Sequence, residues 1–274
     1  MLQNEDHHGD DTMKLVDIHC HLQDKRLAGD MDGVVERAKA ADVRAMICCG
    51  VNESDWPRVM DAARRFSLVI PSVGLHPWHV ERRSAAWFDE LQAILAQHPE
   101  VGVGEIGLDH ASPAGTHDDQ LAVFKRQMEL AARLSRPVSI HCRQAWQGLT
   151  EGMDALKALP DGFVIHSYSG PVEMIRPLAD RGAYFSFSGS VTLHRNHRGH
   201  AAVAAVPADR LLVETDAPDI PPIIDGKRLE DRPNEPANLR VVLHKVAELR
   251  DENVTALAQG IWENAARLYT LPES

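Results

Sequence analysis

Leu15-Val16-Asp17-Ile18-His19-Cys20-His21 is an apolar run that ends in a pair of histidines, and reading it outward settles the architecture. In an extended chain alternate side chains share a face, so His19 and His21 point together while Cys20 points away. Seven more short strand-like segments follow, at 45–49, 68–73, 101–106, 138–141, 162–166, 183–187 and 211–214. Helical periodicity fills most of the gaps, most clearly at 55–66, 85–97, 118–134, 172–181, 236–250 and 254–269. In 118–134, Leu121, Phe124, Met128 and Ala131 fall on one face, with Lys125 and Arg126 outside it. Eight strand–helix units predict an α/β fold, a single-domain (β/α)8 TIM barrel over residues 14–272, rather than an open doubly wound sheet. No nucleotide-type G-x-G-x-x-G follows the first strand.

Composition agrees. The 274 residues are 44% apolar and 25% charged, the balance of an ordinary globular chain rather than a disordered one. No apolar run approaches the ~18 residues of a membrane span, so no membrane partner is expected. Residues 1–13 are polar and acidic, unlike a signal peptide, and read as a disordered leader. Four cysteines without metal-finger spacing and without a secretion signal point to a reducing, cytoplasmic setting. A net charge of −11 argues against gripping nucleic acid by broad electrostatics. It leaves open recruitment of phosphate through bound metal, which inverts the local field. No obligate protein partner is evident.

The strand ends carry the chemistry. Strand one ends in His19 and His21, strand four runs through Glu105, strand five ends in His141, strand six in His166, and strand eight is followed by Asp216. Their spacings are close to whole strand–helix units, which puts all six at one level of the barrel, at its C-terminal mouth. Burying such groups unpaired would cost several kcal/mol each. Four imidazoles and two carboxylates converging there have the composition of a dinuclear metal site.

The chain resembles the TatD family of metal-dependent hydrolases, within the amidohydrolase superfamily. The matching stretches are DIHCH at 17–21, GLHP at 74–77, GEIGLD at 104–109, Q-x3-F-x2-Q-x2-LA at 120–131 and PVSIHCR at 137–143. HSYSG at 166–170, YFSFSG at 184–189, LLVETDAPD at 211–219 and NEPANL at 234–239 continue the series in family order. The resemblance implies a TIM barrel with two divalent metal ions. His19 and His21 would bind the first and His141 and His166 the second, with Glu105 bridging and Asp216 on the first. Imidazole-rich ligation suits Zn²⁺ or Mn²⁺ better than Mg²⁺, although the family includes magnesium-dependent activity. Where many members have Tyr after GEIGLD this chain has His110, and Tyr168 stands where Phe is common.

The function this implies is hydrolysis of phosphodiesters, DNA foremost, through metal-activated water. Asp216 would take the proton as general base, Glu105 would share in catalysis as the bridge, and Arg143 and His76 would contact the phosphoryl oxygens. The run His194–His200 is locally basic and follows strand seven, which suggests a substrate contact at the mouth. The same site would also suit amide or ester hydrolysis, such as deacylation of a D-aminoacyl-tRNA. A catalytically idle binding barrel would show loss of a ligand, and none of the six is lost.

Overall fold

Aliphatic strands that are apolar on both faces pair stably only when helices cover the outside and side chains fill the inside. The computed structural model, which describes residues 13–113, 115–224, 226–228 and 232–272, does this with all eight segments. The strands are β1 (Leu15–Cys20), β2 (Val43–Cys49), β3 (Val69–Val73), β4 (Gly102–Asp109), β5 (Val138–Arg143), β6 (Phe163–Ile165), β7 (Ala183–Phe187) and β8 (Leu211–Val213). Each pairs in parallel with the next in sequence order, giving the expected barrel. Of the leader expected at 1–13, only Met13 lies within the described residues, and it packs against the core.

The returning helices are α1 (Lys25–Ala28) and α2 (Met31–Ala40) after β1, α3 (Trp56–Arg65) after β2, and α4 (Trp87–Gln97) after β3. Next come α5 (His117–Leu134), α6 (Trp146–Asp154), α7 (Ile175–Ala179) and α8 (His197–Ala205), one after each of β4 to β7. After β8 come α9 (Leu239–Arg250) and α10 (Val254–Ala266). Their inward faces bury Val34, Trp56, Leu91, Phe124, Leu149, Val203, Leu243 and Ile261 against the strands.

The two glutamines of the 120–131 motif dock α5 onto the strand ends. Gln127 Oε1 accepts the Leu75 N–H at 2.8 Å, and its Nε2 donates to the Leu75 carbonyl at 3.1 Å. Gln120 does the same for Asp109, at 2.9 and 3.2 Å. Both amides are fully buried and stand in for ladder bonds that the chain gives up where it leaves the sheet. Gln127→Leu strands two buried backbone groups and should lower unfolding free energy by about 2–4 kcal/mol. A urea midpoint unchanged from wild type would show that this clamp contributes nothing.

The seam between β8 and β1 closes differently. The Asp216 N–H donates to the His19 carbonyl at 3.0 Å and the His21 N–H to the Ala217 carbonyl at 2.7 Å. Below them the Asp17 carboxylate accepts the Thr215 N–H at 2.9 Å and the Thr215 hydroxyl at 2.5 Å. Burial pushes the Asp17 carboxyl up to about 7, against the pull of those two hydrogen bonds.

Candidate metal centre

β1 delivers His19 and His21 to the mouth on one face, as alternation requires. The His21 Nδ1–H donates to the Cys49 carbonyl at 2.7 Å, which turns Nε2 inward, the atom left to bind a metal once its proton is lost. His19 Nδ1 lies 2.7 Å from Ser139 Oγ, again leaving Nε2 inward. The two Nε2 atoms are 3.2 Å apart. Glu105 Oε2 stands 3.4 Å from each, and Asp216 Oδ1 stands 3.8 Å from His19 and 3.5 Å from His21. Donors ~2.1 Å from a shared ion sit ~3.0–3.4 Å from one another, so the two Nε2 atoms and Glu105 Oε2 have the spacing of ligands to one divalent ion, with Asp216 Oδ1 slightly farther out beside the histidines.

The other oxygen of Glu105 faces a second set. Oε1 is 2.8 Å from His166 Nε2 and 3.1 Å from His141 Nδ1, and those two nitrogens are 3.4 Å apart. One carboxylate thus divides its oxygens between two histidine pairs. β4 can lie close enough to β5 for this because Gly107 adopts φ +144, where a Cβ would meet the His141 carbonyl oxygen at 1.9 Å.

A deeper polar layer orients the ring nitrogens that point away. His141 Nε2 faces Asp109 Oδ2 at 3.1 Å, and His166 Nδ1 faces Glu214 Oε1 at 3.4 Å. Ser186 in turn donates its hydroxyl to Glu214. Asn234, from the NEPANL stretch, fixes the turn that carries Asp216 by donating to the Thr215 carbonyl at 2.8 Å and the Asp219 carbonyl at 2.9 Å. Asp216 itself sits at φ +55, a left-handed conformation that Asp and Asn tolerate better than most residues. Sequence reasoning gave no role to Ser139, Asp109, Glu214 or Asn234. Ser139 carries a period-two signal, lying two residues before His141 on the same strand, whereas Glu214 and Asp216 lie beyond the end of β8.

Electrostatics favour cations at the centre. Burial opposes ionisation of Glu105, yet the surrounding imidazoles hold its carboxyl well below the usual range. Burial likewise works against a charged His21, but Asp216 and Glu105 push it up to about 9, and Glu105 and Glu214 carry His166 upward too. His19 moves down, through burial and the neighbouring His166. His21 and His166 therefore hold protons across neutral pH when no metal competes. Against its burial, Asp109 and Glu105 raise His141 as well, so metal uptake near neutral pH should release protons from these three imidazoles, and affinity should weaken as pH falls. Calorimetry in buffers of different ionisation enthalpy reads this directly; release of none would contradict it.

His76 joins the cluster with its Nε2 3.2 Å from Glu105 Oε1. Its Nδ1 accepts the Trp78 N–H at 3.2 Å, which assigns the ring proton to Nε2 and makes His76 a donor toward Glu105. Burial pulls its pKa down to about 4, so it is neutral at pH 7. Arg143 lies on the wall of a cleft of roughly 980 Å³ that opens over the centre, with Lys25, Arg58, Trp78 and His79. Arg26 is clamped between Asp24 and Asp219, whereas Lys25, Arg58 and Arg143 form no salt bridge among the described residues.

One expectation is corrected. No residue from His194 to His200 lines the cleft, because Asn196 caps α8 and the run winds into that helix, where His200 Nε2 donates to the Val191 carbonyl at 2.8 Å. Cys20 turns away, as alternation requires, and donates to the Ile47 carbonyl; Cys142 borders the cleft. His110 stacks on His117, with ring centroids 3.6 Å apart, outside the cleft-lining set.

Imidazoles and carboxylates converging at the C-terminal mouth of a parallel barrel, with further carboxylates bracing them, define a metal-dependent hydrolase. Known proteins agree: a 3'-5' ssDNA/RNA exonuclease TatD from Salmonella typhimurium is 33% identical over 93% of this chain and 98% of its own length. The chain belongs to the family described as TatD related DNase, which it matches over residues 16–270. An uncharacterized metal-dependent hydrolase from Bacillus subtilis, YabD, is 31% identical over 94% of this chain and 99% of its own length. The crystal structure of the Escherichia coli TatD homologue YjjV superposes with a TM-score of 0.89 at 29% identity, covering 95% of this chain and 100% of that one.

Proposed function

We propose that this cleft holds two divalent metal ions and hydrolyses phosphodiester bonds of nucleic acid, DNA foremost. The observation that carries the reading is the division of Glu105, with Oε2 3.4 Å from His19 and His21 and Oε1 2.8 and 3.1 Å from His166 and His141. His19, His21, Asp216 and Glu105 would hold the first ion; His141, His166 and Glu105 the second. Zinc and manganese suit these donors best, with magnesium as the further choice. Divalent ions there supply positive charge against the phosphoryl oxygens and make water at the site more acidic.

The chain's own residues do the rest. Asp216 accepts the proton of the attacking water, and Asn234 keeps its turn in place for that task. Arg143 binds a phosphoryl oxygen at the cleft wall, and neutral His76 offers its Nε2–H beside Glu105. Lys25 and Arg58, which form no salt bridge among the described residues, add positive charge to a cleft that also carries Asp24, Asp55 and Asp219, and can meet a polyanion there. The names of relatives such as the Salmonella exonuclease support a nucleic-acid substrate. The test is cleavage of end-labelled single-stranded and duplex DNA by protein loaded in turn with zinc, manganese and magnesium, beside a panel of small esters and amides. Chelation should abolish DNA cleavage and metal restore it. Turnover of the esters or amides alone would move the assignment to acyl hydrolysis.

A further inference from the structure

Trp78 is the one large apolar side chain exposed among the described residues, at 48%, and it lies in the cleft rather than on the outer surface. Its Nε1–H donates to Asp109 Oδ2 at 2.7 Å, so the ring is held rather than loose. His76 and His141 meet it at steep angles, 79° and 66°, with centroids 4.8 and 6.0 Å away, so neither stacks on it. A fixed, half-exposed indole thus stands in the cleft beside the histidines, with Lys25, Arg58 and Arg143, which form no salt bridge among the described residues, lining the same cleft together with Asp24, Asp55 and Asp219. Cations for the backbone beside an aromatic face for a base are the parts of a single-strand binding groove.

We infer that Trp78 is the stacking platform for the nucleobase adjacent to the phosphodiester being cleaved, which makes the cleft selective for unpaired strands. Within a duplex both faces of each base are covered by its neighbours. Only an unpaired or splayed base can lay its face on the indole. The inference rests on the nucleic-acid reading above and adds the feature that selects the substrate. Trp78 also touches Asp109, which braces His141, so a test must separate stacking from bracing.

The experiment compares two single-stranded DNA oligonucleotides, one with a normal nucleotide and one with an abasic site next to the scissile bond. Wild-type protein should favour the base-bearing strand by about 10–100-fold in kcat/KM, chiefly through KM. Trp78→Ala should bring the two substrates to near equality, and Trp78→Phe, which keeps an aromatic face, should retain most of the preference. Loss of the Asp109 contact lowers turnover of both substrates alike and cancels in the ratio. In a separate titration, a phosphorothioate oligonucleotide should quench indole emission in wild type and not in Trp78→Phe. An undiminished preference in Trp78→Ala would overturn the inference while leaving nuclease action standing. Failure of wild type to cleave either strand would overturn the nuclease reading beneath it.

Discussion

Asp216→Asn leaves a folded barrel that still takes up metal, while turnover falls by about 10²–10⁴-fold, the contribution of a general base. Asparagine suits this position because it tolerates the left-handed backbone at φ +55 as well as aspartate does. Its amide oxygen remains available to the first ion beside His19 and His21. What it cannot do is accept a proton. The check is kcat per bound metal, with metal content determined on the same sample. Near-normal turnover at full occupancy would remove Asp216 from the role of base.

Glu105→Gln has the larger expected effect, because it strikes occupancy itself. A neutral amide presents one oxygen and one NH2, so it cannot offer an anionic oxygen to each histidine pair, as Oε2 at 3.4 Å and Oε1 at 2.8 Å now do. Metal content should fall from about two to below one per chain, and activity by on the order of 10³-fold or more. The imidazoles also lose the anion that favours their charged forms, so proton release on metal addition should shrink. Two ions retained at ordinary affinity would show that Glu105 is no bridge. The contrast between the two variants separates a group that handles protons from one that holds the centre together.

Much of this site was legible because strands enforce a period of two. Knowing that His19 and His21 share a face requires only an extended chain, and their common level with Glu105, His141, His166 and Asp216 follows from repeating strand–helix units. Part of the layer beneath was legible on the same grounds and went unread, since Ser139 precedes His141 by two residues on β5; Glu214 was not, because the chain has left β8 before it and turns at Asp216. Other features depend on atoms that no pattern encodes. Which oxygen of Glu105 faces which pair, and which nitrogen of His76 bears the proton, follow from distances of about an ångström's difference. Among helices, α1, α2, α6 and α8 escaped notice, α1 because it is a single turn and the other three because glycine interrupts them. Gly152 of α6 shows the reason, since a Cβ there would meet Leu121 Cδ1 at 2.8 Å where α6 packs on α5. The basic run read as a mouth loop is largely the first turn of α8, its Asn196 cap being an ordinary polar residue until the helix is seen.

The closure of the barrel by side chains and isolated bonds between Asp17, His19, His21, Thr215, Asp216 and Ala217 sets an order of assembly. His141, His166 and Glu105 come from three adjacent strands, so their cluster can form while the far end of the chain is still being synthesised. His19 and His21 come from the first strand and Asp216 from just after the last, so their cluster exists only when the ring has shut. An ion bridging them would act as a clasp across the weakest join in the sheet. Amide exchange around β1 and β8 should accordingly slow on metal addition more than exchange around β5.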